Sequence, residues 1–185
     1  GRLDEDQRAQ AVARLATTPT LEAAVDGVDA VIEAVTEDIA VKQEVFAAVA
    51  AAAPASALLA TNTSALSVTE IMAALPDPGR GVGMHFFNPV PAMRLCEIVV
   101  GLRTAPETVR AARELAVALG KEPVVVRDST GFVTSRINVV IGNEAMTLLA
   151  EGVATAEDID TAIRLGLNHP MGPLELADLV GLDVR

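Results

Sequence analysis

The sequence has no tryptophan and no tyrosine, and its 4 phenylalanines bring the aromatic share to only 2%. Aromatic rings are the platforms on which unpaired bases stack, so their scarcity argues against single-strand nucleic-acid binding. Basic residues are few as well: 14 Lys and Arg stand against 25 Asp and Glu, a net charge of −11. That surface repels phosphate backbones and anionic lipid, so neither nucleic acid nor a membrane surface is an expected partner. A small anionic ligand stays open, because the field inside a cleft is set locally. With the single cysteine Cys96, no internal disulfide is possible; a reducing compartment fits, and the cytoplasm is the expected location. Cys96 itself reads as a small buried apolar residue. No transmembrane span is present: the longest Ala/Val-rich run, Val45 to Ala53, is too short and follows Lys42 and Glu44. The opening residues Gly1 to Asp6 do not read as a signal peptide. No pair of His or Cys has metal-ligand spacing, so no metal is expected.

What is present is a chain of 185 residues, 51% apolar, enough for a real core. Asp4 to Ala16 reads as a charged helix. The run Asp29 to Val35 is short, apolar and β-branched, as in a buried strand. Glu37 to Ala53 has helical spacing and stops at Pro54. Ala57 to Thr61 is a second strand. Ser67-Val-Thr-Glu70 reads as a capping box opening a helix to Leu75. Gly81 to His85 and Leu95 to Val100 read as strands flanking the loop Asn88-Pro-Val-Pro91. Pro106 starts a helix to Leu119 that Gly120 caps, and Pro123 to Arg127 is a further strand. The alternation of helix and strand points to an open α/β sheet. Beyond it no strand is visible, only a long apolar helix from Phe132 to Leu149 and two more helices starting near Thr155 and Pro173. A boundary near Ser129-Thr130-Gly131 divides the chain into an α/β domain, 1–128, and an all-α domain, 129–185. The long helix is apolar on most sides and calls for burial, often against a partner chain.

Chemistry is expected first at His85, at the end of its strand. In open α/β sheets ligands bind beyond the carboxyl ends of the strands, and a histidine there can serve as a general base. Glu97 lies within an otherwise apolar strand, where a lone carboxylate is costly. Either it pairs with His85 and fixes the imidazole tautomer, or it faces water at a strand edge. Thr61-Asn-Thr-Ser64 follows a strand directly and serves either a ligand or a helix cap. Glu37 suits a helix N-terminus. Lys42, near Glu33 and Glu37, reads first as a solvated surface charge and second as a contact to an anionic ligand. Ser135, Asn138 and Gly142 form a polar or small stripe along the long helix, facing a polar cleft or a close packing partner. His169, between Asn168 and Pro170, reads as a loop-positioning residue. Ser64 with His85 makes a weak case for a serine hydrolase, since no Gly-x-Ser-x-Gly elbow is present.

Taken in order, Asn62-Thr-Ser64, His85-Phe-Phe-Asn-Pro-Val-Pro91, Glu97, Asp128-Ser-Thr-Gly-Phe132 and Pro170-Met-Gly-Pro-Leu-Glu175 resemble the L-3-hydroxyacyl-CoA dehydrogenase family across nearly the whole chain. The resemblance implies a Rossmann-like NAD-binding domain followed by a helical dimerisation domain, and hence a homodimer. It implies oxidation of the 3-hydroxyl of an acyl-CoA to the 3-keto form with NAD, in fatty-acid β-oxidation or butyrate-type CoA metabolism. His85 then matches the general base, Glu97 its carboxylate partner, and Ser64 a residue touching both substrate and cofactor. Glu37, Lys42 and Asn88 match positions that contact NAD.

Two departures stand out. The family's glycine-rich turn and ribose-binding acid would precede Gly1, and too few helices follow the 132–149 helix to cover it, so both ends of the chain read as cut, and these 185 residues are expected to bind NAD weakly or not at all. Ser135 stands where the family usually has an asparagine, which is expected to alter substrate orientation or chain-length preference. A dehydrogenase of a non-CoA 3-hydroxy acid and a non-catalytic remnant of the family are the alternatives.

Overall fold

The computed structural model describes residues 4–181. The sequence reading of the extreme ends, Gly1 to Leu3 and Leu182 to Arg185, lies outside the described residues. The chain divides into two compact units at Asp128/Ser129.

The first unit opens with two small helices, α1 (Glu5–Val12) and α2 (Leu21–Val25). α1 is shorter than the sequence suggests and wholly exposed; Asp4 and Gln7 cap it reciprocally. The sequence reading misses α2. The sheet then alternates with helices: β1 (Ala30–Glu33), α3 (Ile39–Ala52), β2 (Leu58–Thr61), α4 (Val68–Met72), β3 (Gly81–Phe86), β4 (Leu95–Val100), α5 (Pro106–Ala118) and β5 (Glu122–Arg127). The five strands lie in sequence order. β1, β2 and β3 are parallel, β4 runs antiparallel to β3, and β5 is parallel to β4. The sheet is therefore mixed, as expected when a short loop rather than a crossover helix joins β3 to β4.

Period-2 alternation assigns each side chain to a face. Val82 and Met84 of β3 join Cys96 and Ile98 of β4, Leu58, Ala60, Ala112 and Ala116 in one buried cluster. Thr108, Ala112 and Ala116 are the buried face of α5. Their four-residue spacing and small size let this helix lie close on the sheet. The opposite face carries Gly81, Gly83 and His85 of β3. A Cβ on Gly83 would meet Val99 Cβ at 2.7 Å and Val68 Cγ2 at 2.9 Å, so glycine there admits α4 to near contact with the sheet.

Ser67 caps α4, as expected, by accepting from Glu70 N–H at 3.2 Å. The reciprocal half of the expected capping box does not form. Asp128, from the far end of the unit, takes its place: it accepts from Ser67 Oγ at 2.9 Å, Val68 N–H at 3.1 Å and Thr69 N–H at 2.8 Å. A carboxylate at a helix N-terminus satisfies donors that the helix itself cannot.

The second unit is helical: α6 (Thr134–Ala150), α7 (Ala156–Gly166) and α8 (Pro173–Val180). Gly142 and Ala145 are the buried residues of α6, so that end of its small-residue stripe packs inward. Asp160 of α7 caps α8 by accepting from Leu174 N–H and Glu175 N–H, both at 2.8 Å. A Cβ on Gly172 would lie 2.3 Å from Asp160 Cβ. The Pro170-to-Glu175 motif is thus a helix start fitted around the half-buried Asp160 carboxylate.

Candidate active site

His85 and Glu97 face each other directly across the antiparallel ladder of β3 and β4. Opposed residues on such a ladder project from the same face. Here His85 Nδ1 and Glu97 Oε2 are 2.8 Å apart, with the histidine 4% and the glutamate 1% exposed. Where Glu97 accepts this hydrogen bond, Nδ1 donates it and Nε2 is the ring's other hydrogen-bonding nitrogen. The Phe87 ring sits 4.3 Å from the imidazole, centroid to centroid. The alternative of a water-facing Glu97 is excluded by its burial.

One pleat back on the same face lies a second polar cluster. Glu33 ends β1 opposite Thr61 of β2, and Thr61 lies opposite Gly83 of β3. Glu33 Oε1 accepts from Lys42 Nζ at 2.7 Å and Val35 N–H at 2.7 Å; its Oε2 accepts from Thr61 Oγ1 at 2.7 Å. Lys42 also reaches Glu37 Oε2 at 3.2 Å and the Val35 carbonyl at 3.4 Å. Its side chain is 1% exposed. The expectation of a solvated Lys42 is therefore wrong. The lysine points from α3 beneath the sheet rim because a buried carboxylate waits there, and its three protons are all committed within the protein.

Glu37 is the outward member of this cluster, its side chain 45% exposed. Its Oε1 accepts from Thr63 Oγ1 and from Ser64 N–H, the latter at 3.0 Å. Burial alone would raise its pKa, but the Thr63 and Ser64 hydrogen bonds and the Lys42 ammonium outweigh burial and hold the carboxyl below its ordinary range. Ser64 is exposed next to it. Asn62 Oδ1 accepts from Phe86 N–H at 2.9 Å, which stitches the end of β2 to the end of β3. The Thr61–Ser64 stretch thus joins the two clusters rather than only capping a helix.

Asn88 lies exposed in the loop after β3. That loop is tied down by Lys121, whose ammonium donates to the carbonyls of Val90 and Met93. Ser135 is half-buried in the first turn of α6, in the other unit. In that unit Asn138 and His169 line a cavity of about 320 Å³ with Val133, Ile137, Met171 and Leu176. His169, read as a loop residue, therefore also borders open space. Sequence reasoning left Glu33 without a role, although a glutamate closing an apolar strand was the available signal. No cluster of metal-ligating side chains occurs among the described residues, and no described helix is long and apolar enough to cross a membrane.

A histidine held by a carboxylate at the strand ends of an α/β unit, with a helical unit following, lies where open α/β sheets bind their ligands. Comparison with known proteins shows the family. The family model described as "3-hydroxyacyl-CoA dehydrogenase, NAD binding domain" matches residues 1–129, and "3-hydroxyacyl-CoA dehydrogenase, C-terminal domain" matches residues 131–185. The chain belongs to the 3-hydroxyacyl-CoA dehydrogenase family.

It is 45% identical to a 3-hydroxybutyryl-CoA dehydrogenase of Clostridioides difficile, over 96% of this chain and 63% of that protein. It is 47% identical to a 3-hydroxyadipyl-CoA dehydrogenase of Escherichia coli, over 85% of this chain and 33% of that protein. Among solved structures, (S)-3-hydroxybutyryl-CoA dehydrogenase from Ralstonia eutropha superposes with a TM-score of 0.93 at 41% identity, over 98% of this chain and 64% of that one. The chain thus spans less than two thirds of the length of these relatives.

Proposed function

We propose that the protein containing this chain oxidises the 3-hydroxyl of a 3-hydroxyacyl-CoA to the 3-keto form with NAD. The observation that carries the reading is the His85–Glu97 pair, buried at the sheet rim with Nδ1 held at 2.8 Å. His85 Nε2 takes the hydroxyl proton, and the Glu97 carboxylate compensates the positive charge the ring then bears. NAD, when bound, supplies the acceptor for the hydride.

The rim fits such a cofactor. Glu37 offers a fixed, ionised acceptor suited to a ligand hydroxyl, and Ser64 offers a hydroxyl beside it. Asn88 completes the set from the loop after β3. Lys42, matched to a cofactor-contacting position of the family, reaches this rim from below and holds Glu37. Ser135, at the start of α6, orients the substrate in the reading carried over from the family.

The helical unit leaves Ile137, Val140, Leu165 and Leu179 at 56%, 61%, 78% and 70% exposure. Apolar surface of that extent supports a homodimer formed through this unit. The sites of action proposed are the cytoplasm and fatty-acid β-oxidation or butyrate-type CoA metabolism.

The test is spectrophotometric. The full-length protein, given NAD and 3-hydroxybutyryl-CoA, is expected to form NADH, and His85→Ala to abolish the reaction. Turnover unaffected by His85→Ala, or none in the unmodified protein with any 3-hydroxyacyl-CoA, overturns the reading. Light scattering that finds a monomer removes the dimer.

A further inference from the structure

The Glu33–Lys42 pair is fully buried, each side chain 1% exposed. Burying two charges seldom stabilises a fold more than an apolar pair of the same volume would. The other buried residues of α3, Phe46 and Val49, are apolar. The pair therefore needs a reason other than stability, and its connections supply one. Glu33 accepts from Lys42, Val35 N–H and Thr61. Every proton of Lys42 is spent on Glu33, Val35 and Glu37. Only Glu37 leads outward. Half of its carboxylate rests on Lys42 and half on Thr63 and the Ser64 amide. An exposed carboxylate would ordinarily sample many rotamers. Here it is held at both oxygens, and the inner hold exists only because Glu33 fixes the ammonium.

We propose that Glu33 is a positioning residue: by locking Lys42 beneath the rim, it orients the Glu37 carboxylate and, through it, the Ser64 amide that flanks the cofactor-binding rim. The last clause rests on the NAD reading above; the positioning of Glu37 and Ser64 does not.

Two readouts in the full-length protein test this. The first is amide hydrogen exchange by NMR, independent of any cofactor. Glu33→Gln is expected to reduce protection of the Ser64 amide at least about tenfold relative to core amides such as Val82 and Ile98. The second is the NADH dissociation constant from fluorescence titration, expected to rise about tenfold, the order of one charge-assisted hydrogen bond. In a Lys42→Met background the same Glu33→Gln change is expected to add nothing, because it acts through the lysine.

Ser64 protection unchanged in Glu33→Gln, or lost only in step with the core amides, overturns the proposal. Effects of Glu33→Gln and Lys42→Met that multiply overturn it too. If Glu33→Gln does not fold, Thr61→Val, which removes one bond from Glu33 and no charge, is expected to show a Ser64-specific loss of about threefold; its absence is equally decisive. An unmodified protein that binds no NADH, with Ser64 protection still lost in Glu33→Gln, refutes the cofactor reading and leaves the positioning role standing.

Discussion

His85 and Glu97 are opposed residues of the single antiparallel strand pair in the sheet, and their side chains meet at 2.8 Å. The backbone ladder, not a flexible loop, fixes that distance. Replacing Glu97 by glutamine keeps the shape and removes the charge that sets the tautomer. The expected result is a loss in kcat of about 10²–10⁴, with the melting temperature nearly unchanged. Steady-state kinetics of Glu97→Gln in the full-length protein, beside a thermal melt, measure both.

Cys96 is 0% exposed in the core cluster, and burial pushes its thiol pKa up to about 11. The reactive species is the thiolate. In native protein at pH near 8, Cys96 is therefore expected to resist a chromogenic disulfide reagent, and to be labelled once the protein is denatured. Rapid labelling without denaturant would contradict the packing of β4.

The Glu37 carboxyl is held below its ordinary pKa of 4.5 in the folded protein. The folded state thus gives up this proton more readily than the unfolded chain does. The resulting stabilisation is complete above pH 4.5 and is lost as pH falls through the lower, folded value. Glu37→Gln removes the group. Its melting temperature should decline less steeply than that of the unmodified protein across the acid range below that pH, as calorimetry at a series of pH values would show.

Gly172 lies against Asp160 so closely that a methyl group has no room. Gly172→Ala is expected to lower the unfolding free energy by about 1–3 kcal/mol, since it must displace the carboxylate that caps α8. Urea denaturation measures the change, and an unaltered midpoint would mean the α7–α8 junction is looser than described.

Much of this was legible from the sequence, for identifiable reasons. β-branched runs bounded by Pro and Gly located the strands. His85 and Glu97 stood out because each is an ionisable residue in an apolar strand on either side of one short loop. The reversal of β4 that brings them together is a property of pairing, which periodicity does not carry. Lys42 was misread for a related reason: a lysine nine positions from a glutamate, on a different element, gives no local sign that both turn to the same side of the sheet. The capping of α4 by Asp128 was hidden by distance, since the sequence offered a nearer carboxylate, Glu70, at the conventional spacing.

The connection between β3 and β4 has a wider consequence. Because pairing of the two strands holds the histidine and its acid in place, the residues between Phe87 and Arg94 are released from that duty. Substitutions in this segment, Asn88 apart, can reshape the surface beside the sheet rim while the ladder still holds the His85–Glu97 contact. Under the proposed dehydrogenase reading, the loop and the buried pair are then free to vary independently of one another.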